Sequence, residues 1–591
     1  VYYNQRRKNL ETILKRFGKV PIIVSIFSIF CFLYDFGFDH GLFEKNVLTI
    51  TYLSSSIIGA IAIVVRYFFK QNRPRIKSVP IDILFFIYLS TVAFQHLGFN
   101  IFQLFFFRHI VWLYIAIFLV FFREIFAIKF EFWRAVVNPA QLFVISFFAI
   151  IILGSIILLL PNATVADISL IDAIFTSTSA VCVTGLVVVD TGSFFTDFGQ
   201  IVIVLLIQIG GLGIMTFASY FSYFFRGGSS YQNQLILRDM TNTEKISEVF
   251  SVLKKIILVT LIIEGIGALL LFQSLDIEVI PSFVDRLFFA IFHSISGFCN
   301  AGFSTLPNSF YQDAFQFNYP LHLILAFLII LGGLGFPIVF NLLKFSKSKV
   351  KTYLLFLFRR KHKITLPRLI NINTRIVLIT TLILTVFGTI AFLILEYSNT
   401  LSNHSFFGKI ITAFFGAVTA RTAGFNTVDT GALGVHTILI VMFLMWVGAS
   451  PASTGGGIKT STLALAILNT ISIVKGKTRL ELYNREIPVA STNRAFAIIV
   501  LSIIVISISI LFISFFDADN GLLNISFECV SAYGTVGLSR GITANLSSAS
   551  KVILILTMFV GRVSMLTLLI AFYKKVSSEA YRYPTENILI N

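Results

Sequence analysis

Four eight-residue stretches decide how this chain is read: SAVCVTGL at 179–186, SGFCNAGF at 296–303, VTARTAGF at 418–425 and SAYGTVGL at 531–538. They align without gaps, and each carries Gly at its seventh place and Leu or Phe at its eighth. The glycines, Gly185, Gly302, Gly424 and Gly537, fall 117, 122 and 113 residues apart. Self-similarity at a near-constant period marks a repeat architecture. Each stretch closes a short apolar run, at 172–181, 286–298, 407–420 and 522–533, with a longer apolar run on either side. The short runs fall below the roughly 20 residues needed to cross a bilayer, which predicts buried or re-entrant segments. Each is expected to enter from the outer face, stop partway and return as an extended loop.

Composition sets the solvent. The chain has 591 residues, 56% of them hydrophobic and only 13% charged, with a mean hydropathy of +0.88. Soluble domains are about 25% charged, so this chain lacks the polar residues to cover a water-facing surface. Apolar runs such as 142–160, 200–225, 255–272 and 376–395 predict spanning helices. The formal charge of +18 does not point to nucleic acid, because the basic residues are not gathered on one module. They fall in alternate loops: six in residues 1–19, ten in 344–375 and five in 475–494. The intervening loops hold Asp39, Glu44, Asp276, Glu278, Asp517 and Asp519. This positive-inside pattern predicts a multi-pass protein of the plasma (inner) membrane, surrounded by lipid, with both termini cytoplasmic. Cys31, Cys182, Cys299 and Cys529 have neither metal-site nor disulfide-framework spacing. The apolar run after VYYNQRRKNL lacks a small-residue cleavage site and reads as an anchor helix, not a signal peptide.

The expected fold class is an all-α polytopic membrane protein with four-fold pseudosymmetric helix–pore-loop–helix repeats around one pore. The predicted divisions are 136–228, 229–343, 344–475 and 476–591. Residues 1–135 form an extra four-helix membrane module, with apolar segments near 20–38, 47–69, 80–97 and 100–126. Its Arg108 and Arg123 do not make the arginine ladder of a voltage sensor. A scaffold, dimerisation or lipid-facing role is expected instead.

Four re-entrant loops around one axis solve a shared problem. Non-helical backbone at membrane depth survives only where protein buries it or water reaches it. Carbonyls lining a narrow path can replace a cation's hydration shell, a route to potassium selectivity. A Gly in each loop lets the backbone take positive φ and keeps the path open. Short helices ending at the axis direct their partly negative C-termini toward the ion. The candidate ion-binding residues are Val183, Thr184, Gly185, Asn300, Ala301, Gly302, Thr422, Ala423, Gly424, Thr535, Val536 and Gly537.

At these residues the chain resembles the Trk/Ktr/HKT superfamily of potassium transporters, most closely its bacterial Ktr membrane subunits. TSTSAVCVTGLVVVDTG at 176–192, GFCNAGFST at 297–305, TARTAGFNT at 419–427 and YGTVGLS at 533–539 look like the family's four filters. GASPASTGGGIKT at 448–460 looks like its intramembrane gating loop. The resemblance covers about 140–591. It implies potassium uptake through a gated, selective pore, with K⁺ as the transported ion and no organic cofactor. Gly185 implies potassium preference, where a Ser in the first loop goes with sodium permeation. It further implies a homodimer on a separate cytoplasmic RCK-type nucleotide-binding regulatory subunit, KtrA- or TrkA-like. Residues 1–135 depart from the family core.

The candidate gate residues are Gly448, Ser450, Pro451, Ser453, Thr454, Gly455, Gly456, Gly457, Lys459 and Arg562. Three successive glycines and a proline weaken a helix, so the third repeat's second helix should break here. The role as gate is implied by the resemblance. A phosphate loop is rejected, because Ile458 stands between Gly457 and Lys459. An arginine inside a membrane is costly and usually faces a cavity or partner. Arg562, which matches the family's arginine in this helix, is expected to donate hydrogen bonds to residues 448–457. Glu264 is a second intramembrane charge, expected to pair locally. GGLG at 210–213 and at 332–335 reads as close helix packing in preference to a hinge.

Two other functions compete with this reading. A sodium- or proton-coupled secondary transporter often has inverted repeats, whereas these run in one direction. An enzyme would need a site, and none of the eight histidines lies in an H-x-x-E or H-x-x-x-H pattern.

Overall fold

The computed structural model describes residues 20–68, 79–98, 105–127, 139–213, 249–357 and 370–572. The termini and the calls at 128–138, 214–248 and 358–369 lie outside the described residues. So do the division points at 135/136 and 228/229.

Four helices come first: α1 (Val20–Gly37), α2 (Leu42–Phe68), α3 (Val79–His96) and α4 (Ile110–Ala127). The second starts five residues before the apolar run expected at 47. The fourth is preceded by a separate 3₁₀ turn, Phe105–Arg108. They are fastened by polar groups inside an apolar bundle. Asp35 accepts hydrogen bonds from the hydroxyls of Tyr52 (3.0 Å) and Tyr114 (2.9 Å). Arg123 bridges Asp82 and Glu124 at 3.0 and 3.2 Å. Phe36 stacks on Phe198, joining α1 to the rest of the chain.

The remainder is a recurring sequence of long helix, short helix, loop and second long helix. The first set is α5 (Pro139–Leu158), α6 (Leu170–Val181) and α7 (Asp197–Gly211). The second is α8 (Val249–Ser274), α9 (Phe283–Cys299), α10 (Tyr319–Leu334) and α11 (Phe336–Leu357). The third is α12 (Ile372–Leu395), α13 (Phe406–Thr419), α14 (Val435–Trp446) and α15 (Thr460–Val474). The fourth is α16 (Val489–Phe516), α17 (Leu522–Gly534), α18 (Ser548–Val563) and α19 (Met565–Phe572). Among the described residues, five helices are long and apolar enough to cross a membrane, and α10 with α11 would add a sixth.

The short helices have sharp starts and stops. Ser169, Ser282 and Ser405 cap the first three, each accepting from the backbone N–H three residues on. Such a cap satisfies an otherwise orphaned donor. At their far ends Val183, Asn300, Thr422 and Thr535 take positive φ (56°, 60°, 76° and 49°). A side-chain-bearing residue there cannot continue a right-handed helix.

The second long helices also stop in a common way. Gly213, Gly335 and Ser564 have φ of 79°, 82° and 73°. The chain bends by 104° between α10 and α11. GGLG is therefore not packing alone. A Cβ on Gly210 or Gly332 would strike the carbonyl of Val181 or Phe298, whereas the last Gly of each motif breaks the helix. α11 runs across the division expected at 343/344. The nearest helix break comes earlier, at Gly335, whose positive φ ends α10. An unanticipated hairpin follows α15: β1 (Leu480–Leu482) and β2 (Arg485–Ile487) pair antiparallel. Its two-residue turn has Tyr483 and Asn484 at φ 50° and 61°, the type I′ pattern that matches strand twist.

Candidate functional site

The four glycine loops meet in a closed ring. A Cβ built on Gly302 would lie 2.5 Å from the carbonyl oxygen of Ala423 and 3.1 Å from Gly424 Cα. Gly185 stands in the same relation to Ala301 and Gly302, Gly424 to Val536 and Gly537, and Gly537 to Thr184 and Gly185. First touches second, second touches third, third touches fourth, and fourth returns to first. All four glycines are at positive φ, from 71° to 93°. No other residue fits: the backbone demands the left-handed side of φ space, and the next loop fills the room a side chain would need.

The backbone polar groups of these loops divide by type. N–H groups turn back into the short helices: Thr184 to Ser179 O (2.8 Å), Ala301 to Ser296 O (2.8 Å), Gly424 to Thr419 O (3.2 Å) and Val536 to Ser531 O (2.9 Å). The carbonyls of 183–185, 300–302, 422–424 and 535–537 accept no hydrogen bond among the described residues. Buried carbonyls are ordinarily paired, so such a concentration of free ones at one place marks a site.

Hydroxyls brace the ring. Ser179 and Ser531 accept from the N–H groups of Gly185 and Gly537, both at 3.1 Å. Ser296 and Thr419 instead donate to the carbonyls of Phe303 (2.8 Å) and Phe425 (2.7 Å). Sequence reasoning missed these four. The evidence lay in the first column of the aligned stretches, which holds Ser in three of them, with Thr419 one place later in the other. The Asn300 amide faces the Thr422 hydroxyl at 3.0 Å. That contact ties the second loop to the third.

Residues 447–459 form a loop beneath the ring, closed at its base by a bridge between Val447 and Ile458. It touches the second, third and fourth sets directly, and Arg562 links it to the first. Ser450 N–H donates to Gly333 O at 3.0 Å, and its hydroxyl reaches the carbonyls of Gly333 and Leu334, on the helix break of the second set. Gly456 N–H donates to the Thr535 hydroxyl at 2.9 Å, directly below the fourth loop. A Cβ on Gly455 would collide with Thr422, below the third. Arg562 donates to the carbonyls of Thr454 and of Gly210 in the first set. Lys459 stands at the start of α15 and also donates from Nζ to Gly455 O at 2.6 Å. Ser453 bonds within the loop, to Ser450 O at 2.6 Å. The carbonyl of Pro451 lies beside Gly335, and Gly448 packs on Gly456 O. Gly457 has φ 65° at the turn into Ile458.

Behind the ring, Glu264 accepts from the Gln208 amide at 3.1 Å, with Cys299 Sγ 3.8 Å from its other oxygen. The carboxylate thus joins α7, α8 and the end of α9. On the side of the ring away from the 447–459 loop lies a chamber of about 490 Å³ lined by Gly185, Gly302, Gly424 and Gly537.

Fold and site together define a polytopic membrane protein organised around one ring of unpaired backbone carbonyls. A family model described as TrkH, cation transport protein, matches residues 134–583, and the chain belongs to that family. The chain is 37% identical to the Ktr system potassium uptake protein B of Bacillus subtilis, over 76% of this chain and 95% of that one. It is 35% identical to the potassium/sodium uptake protein NtpJ of Enterococcus hirae, over 77% and 98%. The crystal structure of the potassium transporter TrkH from Vibrio parahaemolyticus has the same fold, with a TM-score of 0.59 at 17% identity. That match covers 89% of this chain and 97% of the other.

Proposed function

We propose that this chain takes up potassium across the plasma membrane through a single gated pore, with the ring of four loops as selectivity filter. The observation that carries it is the free carbonyls at the contacts between adjacent loops. A dehydrated monovalent cation supplies the partner they lack. Val183 to Gly185, Asn300 to Gly302, Thr422 to Gly424 and Thr535 to Gly537 then hold the ion, and the four short helices direct their C-termini at it. The names of the relatives, which describe potassium or potassium/sodium uptake, support the choice of ion.

The loop at 447–459 serves as the gate in this reading. It lies across the inner side of the ring, and Arg562 and Lys459 hold it through its own carbonyls. Their positive charge opposes a cation arriving from above, and releasing them lets the glycine-rich segment swing aside. The basic loops favour cytoplasmic termini. A homodimer on a separate RCK-type nucleotide-binding subunit is consistent with a relative named as one component of a system.

The test is growth at low potassium of a bacterium lacking its own potassium uptake. The intact chain should rescue it, and Gly185→Ser should not. Rescue that survives Gly→Asp at all four glycines would refute the filter.

A further inference from the structure

Arg540 places a fixed positive charge where a cation pathway least needs one. The chamber is lined by the four loop glycines, and its wall contains Asp190 from the first set, Asp429 from the third and Arg540 from the fourth. The arginine is built in. Its Nη2 donates to Gly431 O at 2.9 Å, and its backbone N–H donates to Glu528 at 3.0 Å. The neighbouring Thr430 hydroxyl bonds Ser539 O, so the rims of the third and fourth loops are locked together around it. Nε is buried and has no hydrogen-bond partner among the described residues. No carboxylate lies within ion-pairing distance of the guanidinium among the described residues. Glu528 is withdrawn behind the wall, 1% exposed, with its oxygens taken by Ser539, Thr543 and the Arg540 N–H.

We propose that Arg540 is a specificity-determining residue: it offsets Asp190 and Asp429 and so keeps multivalent cations out of the chamber above the filter. The inference rests on the filter reading above. A chamber with two carboxylates and no counter-charge would gather cations, and a divalent ion gains twice the energy of K⁺ from the same potential. Such an ion would sit over the ring and plug it. Potassium, carrying one charge, loses less from the arginine's presence than its competitors do. The chamber thereby trades some apparent affinity for freedom from block. The residue is invisible to reasoning about the filter motif, since it lies three positions beyond Gly537 and outside the eight-residue repeat.

Valence gives the test its discriminating power. For one charge several ångströms away in a partly screened, wet chamber, removing it should raise local K⁺ about two- to fourfold and a divalent cation by the square, about four- to sixteenfold. The chain is expressed in a host without potassium uptake, and ⁸⁶Rb⁺ entry is measured against external Mg²⁺. Arg540→Gln is expected to lower the half-inhibiting Mg²⁺ concentration about four- to sixteenfold and the half-saturating Rb⁺ concentration by about the square root of that factor. Arg540→Glu should roughly double both shifts on a logarithmic scale, and Arg540→Lys should restore the parent values. The shifts should shrink at high ionic strength. If Arg540→Gln disrupts the rim, Asp429→Asn on the parent background keeps the proposal testable, since it should raise the half-inhibiting Mg²⁺ concentration. Equal shifts for Rb⁺ and Mg²⁺, or shifts indifferent to ionic strength and to the sign of the new charge, would overturn it. Absence of Rb⁺ entry by the parent chain would instead refute the uptake reading.

Discussion

Gly302→Ala adds one methyl group at the contact between the second and third loops. The new Cβ would lie 2.5 Å from Ala423 O, and ordinary contact begins near 3.4 Å, so that carbonyl or the loop bearing the alanine must move by about 0.9 Å. Gly302 also has φ 71°, and holding an L-residue there costs roughly 1–2 kcal/mol. With every 1.4 kcal/mol worth tenfold, strain alone predicts a loss of about 5–30-fold. On the proposed filter reading, moving that carbonyl by nearly an ångström adds to it. The damage should fall on the third loop's carbonyl, because each glycine presses on its neighbour. The expected result is a half-saturating potassium concentration raised by at least about tenfold, with weakened discrimination against sodium. Both are read from ⁸⁶Rb⁺ entry with Na⁺ as competitor. A Gly302→Ala protein that kept the parent's affinity and selectivity would show that this contact does not shape the ion path.

Freeing the inner loop should act in the opposite direction: Arg562→Gln, or deletion of 450–457, is expected to raise ion flux severalfold in reconstituted vesicles, and unchanged flux would count against the gate. Lys551 and Asp172 form a 2.7 Å ion pair, 13% and 20% exposed, between α18 and α6. Lys551→Met should cost about 1–3 kcal/mol, seen as a lower unfolding temperature in detergent that Asp172→Asn does not lower much further. Glu396, just beyond α12, is buried, which alone would raise its pKa, but hydrogen bonds from Thr437 (2.6 Å), Gly434 N–H (3.0 Å) and Thr400 (2.9 Å) hold it below the usual 4.5. A depressed carboxylate stabilises the fold above its ordinary pKa, and that stability is lost as pH falls through the lower folded value. Asp517, half-buried and held down by Ser547 and Ser550 despite the desolvation, acts the same way at the end of α16. Unfolding temperatures taken from pH 7 to pH 3.5 should fall less steeply for Glu396→Gln than for the parent.

The membrane environment, the approximate helix spans and the four loops could all be read from the chain, because each has a local cause. Apolar length is a property of consecutive residues, and a glycine with positive φ announces itself when it recurs at one place in four repeats. The break after α14 was equally legible, since three glycines and a proline within 448–457 leave little else possible. The end of α10 was harder to see. GGLG at 332–335 serves packing through its first Gly and a 104° bend through its last, and the spacing alone does not separate the two.

Sequence alone determined the solvent, the recurrence of the four glycine stretches and the residues whose backbones lack side-chain cover. It could not determine the order of the ring, in which Gly185 presses on the second loop and Gly537 closes back on the first. Nor could it place Ser450 on Gly333, Arg562 on Thr454 or Arg540 over Gly431, pairs separated by more than one hundred positions. Helix spans depend on hydropathy summed along the chain. The path of an ion depends on which carbonyls are left unpaired after every distant donor has chosen its acceptor, and only the folded arrangement makes that choice.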